Sequence, residues 1–158
     1  MRPAIFGPYK SMVLIHRALL IGQVMFFGVI LFIVSTDLFE PPLKALDKNL
    51  QVTEIVVAGV CVFLGSRIFA SRIEKIREQN STAVEKMNAY KTAAIVQWAL
   101  TELPAIFAIV FFMLTGNYAF VALAGALILY FAIALRPIKL KAAIQLRITE
   151  EEVMVQAS

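Results

Sequence analysis

Long apolar runs separated by short polar stretches set the pattern of the chain. The first run, "MVLIHRALLIGQVMFFGVILFIVS", covers Met12 to Ser35. The second, "TEIVVAGVCVFLGSRIFAS", covers about Thr53 to Ser71. The third runs from Thr92 to Leu114, and the fourth, "YAFVALAGALILYFAIAL", from Tyr118 to Leu135. A helix needs about 20 apolar residues to cross a hydrocarbon core of about 30 Å at ~1.5 Å per residue. The pattern therefore predicts four spans, about 12–35, 53–71, 92–114 and 118–135. The second is the weakest, because its uninterrupted part ends at Gly65, before Ser66 and Arg67. Arg67 is expected to snorkel to the nearer interface. The expected fold class is all-α: an integral membrane four-helix bundle forming a single domain over residues 1–158.

The polar stretches divide into connections and a tail. "TDLFEPPLKALDKNLQ" holds Pro41 and Pro42, which break any helix there. Phe39, Leu43 and Leu46 fit a loop lying on the headgroup layer. Residues 72–91 read as a charged helical hairpin beyond the membrane. It breaks near Asn80 and Ser81 and restarts at a capping box of Thr82 with Glu85. Its alternating charges fit a solvated face, with a partner-binding face as the alternative. In the tail, 136–158, Pro137 suits the first turn of a short helix, and Thr149 with Glu152 makes a second capping box. Two short interfacial or cytoplasmic helices are expected. The alternation from Ile138 to Ile148 also permits a strand.

Charge orients the spans. Arg2 and Lys10 precede the first span and Arg17 lies just inside it, the second connection holds Arg72, Lys75, Arg77, Lys86 and Lys91, and the tail holds Arg136, Lys139, Lys141 and Arg147. The first connection holds only Lys44 and Lys48, and the third, "TGN", has no charge. By the positive-inside rule both termini are cytoplasmic.

Composition agrees with this reading. The 158 residues are 60% hydrophobic, against about 45–50% in soluble domains. The net charge of +4 sits beside the spans, where lipid headgroups meet it, so no nucleic-acid partner is needed. The first run is longer than a signal-peptide core, and no small-residue cleavage site follows it, so it is read as a retained span. Cys61 is the single cysteine, which excludes an internal disulfide. Buried in an apolar run, it reads as a small hydrophobe.

The candidate chemistry lies inside the third span. Glu102 is about 10 residues from the start of its span, ~15 Å deep and near the midplane. A charge there costs ~2.5–3.5 kcal/mol on insertion scales. Protonation, donors from neighbouring helices, or a bound cation would each lower that cost. Gln23 has a similar depth, and Thr101 and Gln97 precede Glu102 on its helix. Pro104 kinks or loosens the helix and frees the carbonyl of Leu100. Glu102, Gln23, Thr101, Leu100 and Gln97 are therefore the candidates for ion or proton binding. Structural glue between helices and a polar contact to a partner remain open beside that reading. His16 reads as interfacial decoration, since one histidine without ligand-spaced neighbours makes no metal site. Trp98 reads as packing. No nucleophile, Walker or metal spacing is present, so neither an enzyme nor a cofactor is expected.

Residues 97–106, through Ala99-Leu100, Glu102 and Ile106 of "ALTELPAI", locally resemble the carboxylate helix of the rotor-ring proteolipid subunits of ATP synthases. That resemblance implies proton or sodium binding at Glu102. The chain departs from that family in its second span, which is not glycine-rich, and in its long charged connection. "ALTELPAIF", "LTGN" and "LRP" also resemble small four-span bacterial membrane proteins, a likeness that implies no activity. The expectation is a multi-pass protein of the bacterial cytoplasmic (inner) membrane, a homo-oligomer or complex subunit that handles protons or cations. An accessory or scaffold subunit, or a small lipid- or hydrophobe-binding protein, is the alternative.

Overall fold

A computed structural model of the chain describes residues 7–36, 38–43 and 46–154. Arg2 and Lys44, used in the charge argument, lie outside them. Six helices follow in order: α1 (Pro8–Ser35), α2 (Asp47–Glu78), α3 (Ala83–Thr115), α4 (Tyr118–Ile133), α5 (Lys139–Leu146) and α6 (Glu150–Val153). No strand occurs among the described residues. Three helices, α1 to α3, are long and apolar enough to cross a membrane, and α4 is a shorter apolar helix. At 16 residues, α4 spans about 24 Å.

The helices begin and end for local reasons. Thr82 and Glu85 form the expected capping box at the start of α3, which satisfies two of the amides that a helix start leaves unpaired. At the other end of α3, Gly116 takes φ 71°, and its amide closes on the Phe112 carbonyl at 2.7 Å. Only a residue without Cβ adopts that conformation freely. Asn117 then caps α4, its side chain accepting from the Ala119 amide at 2.9 Å. Helix α3 continues through Pro104 without a break. Pro137 is not in the first turn of the tail helix as expected: α5 starts two residues later, with Ile138 as its cap.

Helix α3 is central and packs against α1, α2 and α4, while α4 also touches α1 and α2. The seam is built from small residues: Ala105, Ala108 and Ala124 are buried. Close approach also sets the α2–α3 contact, because a Cβ on Gly65 would meet Leu100 at 3.4 Å and the Gln97 carbonyl at 3.5 Å. Outward-facing positions are apolar, including Phe32, Val56, Phe63, Leu103 and Leu129. A bundle with an apolar exterior is what lipid, rather than water, selects.

The two ends of the bundle differ. At the end holding Asn117, the loop crosses the α3–α4 turn, and the Leu43 amide donates to the Leu114 carbonyl at 2.8 Å. At the opposite, basic end, α2 and α3 extend together, and α5 and α6 fold against them. Ala142, Ala143, Leu146 and Val153 join Ile73, Ile76, Met87 and Tyr90 in one buried cluster. The hairpin expected to be solvated is thus covered on one face by the chain's own tail. Tyr90 donates to the Gln145 side chain at 2.9 Å, and Arg77 donates to the Gln145 carbonyl at 3.1 Å.

Candidate functional site: polar groups inside the bundle

The expected cluster around Glu102 divides when the helices are packed. Gln23 and Thr101 point inward and are buried. The Thr101 hydroxyl donates to the Gln97 carbonyl at 3.1 Å, one turn back on its own helix. Gln97 and Leu100 are half-buried and lie where Gly65 admits α2. Pro104 is buried. Glu102 is different: it is half-buried at the flank of α3, beside the exposed Ala99, Leu103 and Ile106. No hydrogen bond joins it to Gln23 or Thr101. The Gln23 amide has both its nitrogen and its oxygen buried without a partner among the described residues.

The structure adds a residue that the sequence reading passed over. Glu54 on α2 is 2% exposed, and its Oε1 is buried without a hydrogen-bond partner. It lies one turn from Leu50 and one turn from Ala58. Leu50 packs against the buried cluster that includes Ile109 and Phe112, and Ala58 belongs to a second cluster with Ala105 and Leu127. Glu54 therefore sits between two apolar clusters. Helix α2 begins at Asp47, so Glu54 is two turns inside the helix, not at its margin.

The route to Glu54 is polar from one side. Asp47, Gln51 and Glu54 share one helix face, at positions i, i+4 and i+7. Burial increases along them, the first two being half-buried. Asn117 reaches across from the α3–α4 turn. Its Nδ2 donates to Gln51 Oε1 at 3.4 Å and lies 3.5 Å from Asp47 Oδ2. Below Glu54 the stripe turns apolar, with Ala58 and then Gly65 buried.

Register places these groups at different depths. The His16 ring lies 5.0 Å from the Trp98 ring, which fixes α1 against α3. Counting ~1.5 Å per residue from that layer, Glu102 lies about 6 Å deeper and Gln23 about 10 Å deeper. Counted from the Gly65 contact, Glu54 lies about 16 Å deeper. The polar side chains thus form a vertical series through the bundle, from Glu102 to Gln23 to Glu54 and on to Gln51 and Asp47.

His16 is not surface decoration. It is 3% exposed, stacked on Phe131 with ring centres 4.6 Å apart, and its Nε2 lies 3.2 Å from the Phe131 carbonyl. A carbonyl only accepts, so Nε2 carries the proton. Trp98 packs as expected and also donates from Nε1 to the Leu135 carbonyl at 3.2 Å. Arg67 reaches neither Gln97 nor Glu102. Its guanidinium lies 5.5 Å over the Phe63 ring, turned outward. Compared with protein-family models, with curated proteins and with solved structures, the chain matches none of them.

Proposed function

We propose that this is a small multi-pass membrane protein that handles protons or small cations through an intramembrane carboxylate, and that Glu54 is the principal group. The supporting observation is a carboxyl at 2% exposure whose Oε1 is buried without a hydrogen-bond partner among the described residues, at the end of a polar stripe leading in from Asp47 and Gln51. A carboxylate held among apolar helices needs a proton or a counter-cation. Gln23, buried and unpaired, offers an amide that accepts or donates at a second level. Glu102 takes the third level, nearest the basic end. On this reading the protein resides in a bacterial cytoplasmic membrane, with both termini inside and the stripe opening to the outside.

Glu102 favours a second reading for its own face. Half-buried at the flank of α3 with no hydrogen-bond partner among the described residues, it is better covered by protein than by lipid. We propose that this face meets a second copy or another subunit.

The test is labelling of the purified protein with a hydrophobic carbodiimide, with modified carboxyls located by mass spectrometry. Glu54 is expected to react, with labelling that falls as pH rises or as sodium is added. Absence of Glu54 labelling at every pH in folded protein would make it a sealed structural group and end the proposal.

A further inference from the structure

The basic end of the bundle holds a cavity of about 280 Å³ between the start of α1 and the end of α4, lined by Tyr9, Val13, His16, Arg17, Ala132, Arg136 and Pro137. We infer that Arg17 and Arg136 in this cavity bind the phosphate of an anionic phospholipid headgroup.

The end of α4 would ordinarily repel an anion, because a helix leaves its last carbonyls unpaired and carries partial negative charge there. Here part of that end is occupied: the Tyr130 carbonyl accepts from the Ala134 amide at 2.8 Å, and three carbonyls at or just past the end of α4 accept from side chains. His16 donates to Phe131, Lys141 to Ala134 at 3.2 Å, and Trp98 to Leu135. Just beyond the helix, Tyr9 donates to the Pro137 carbonyl at 3.2 Å. The negative pole is thereby partly offset by donors from α1, α3 and α5. Arg17 and Arg136 remain. Each is exposed, and neither pairs with a carboxylate among the described residues. A guanidinium presents a planar fork of donors that matches phosphate oxygens.

A second cavity, about 190 Å³ and lined by Lys10, Val13, Leu14 and Arg17, adjoins the first and shares Val13 and Arg17 with it. Leu14 is 59% exposed and leads onto the apolar outer face of α1. A phosphate at the arginines would thus have its acyl chain continue deeper along the same outer face of α1, over the exposed Ile21 and Met25. This continuity selects a phospholipid over free phosphate, and basic pockets between spans are known receivers of lipid headgroups.

The experiment reconstitutes the full chain in vesicles of four parts phosphatidylcholine to one part phosphatidylglycerol, extracts it mildly and quantifies the lipids that remain bound. The ratio of phosphatidylglycerol to phosphatidylcholine among the retained lipids is expected to exceed the bulk ratio by about tenfold. The variant Arg17→Gln/Arg136→Gln is expected to fall to the bulk ratio, while Arg72→Gln/Lys75→Gln, which removes equal charge from the hairpin, keeps the enrichment. Native Trp98 emission reports folding, and Arg136→Gln alone replaces the double variant if that emission is lost. Enrichment that is absent in the native chain, or equal in both variants, overturns the inference. So does displacement of the lipid by millimolar orthophosphate, which would reassign the cavity to a soluble anion.

Discussion

Two side chains illustrate opposite uses of polarity inside this bundle. His16 has a hydrogen bond to Phe131 and two aromatic neighbours. Glu54 has its Oε1 buried without a hydrogen-bond partner among the described residues. Removing the first leaves a carbonyl unpaired and a space between rings, and removing the second eliminates an unpaired buried acid. His16→Ala is therefore expected to lose about 2–3 kcal/mol of stability, with a shift in Trp98 fluorescence, since the two rings touch. Glu54→Leu is expected to gain about 1–3 kcal/mol while abolishing the carbodiimide-reactive site. Thermal unfolding in one detergent compares both with the native chain. A Glu54→Leu protein that unfolds earlier than the native one would mean that the carboxyl has a structural partner. The sequence pointed to Glu102 because a carboxylate among uninterrupted apolar residues is conspicuous. Glu54 was masked by its neighbours Gln51 and Thr53, which read as a span margin. The stripe Asp47, Gln51, Glu54, Ala58 would have revealed it, but only once the helix was known to start at Asp47.

At the level of elements, the signals that transfer from sequence to structure are those with a local cause. Both capping boxes form as their spacing predicts, Thr82 with Glu85 and Thr149 with Glu152, because each needs only four consecutive residues. The Gly116–Asn117 turn is local in the same sense. What was not legible is the covering of residues 72–91 by α5 and α6, since that depends on a contact between distant segments. It changes what a cap is worth. Helix α3 is anchored by Trp98, Tyr90 and Met87 in the buried cluster, so Thr82→Ala should fray only its first turn. Hydrogen exchange is expected to accelerate for the amides of residues 83–86 and to stay unchanged from Tyr90 onward, at a cost of about 1 kcal/mol. Faster exchange through Trp98 would show that the cap holds the whole hairpin in place.

The whole molecule carries its own markers of depth. Arg17 follows the histidine that touches Trp98, Arg136 follows the leucine that accepts from Trp98, and Arg67 lies two residues past the glycine seated on Gln97 and Leu100. Three arginines on three helices therefore share one layer. From that layer to Thr115, where α3 ends, is about 26 Å, a thickness that matches the short α4 and a slightly thin bilayer. The layer was invisible in the sequence, where the three arginines are far apart. It makes orientation a single question, because all of the basic end must lie on one side. In a Cys61→Ser background, Leu38→Cys is expected to react with a membrane-impermeant maleimide on intact cells. Gln79→Cys, in the turn of the hairpin, is expected to react only after lysis. The reverse pattern would do more than invert the orientation. It would put the arginine cavity in the outer leaflet and make the Asp47–Gln51 stripe an entry from the cytoplasm, so that Glu54 would draw its protons or cations from the cell interior.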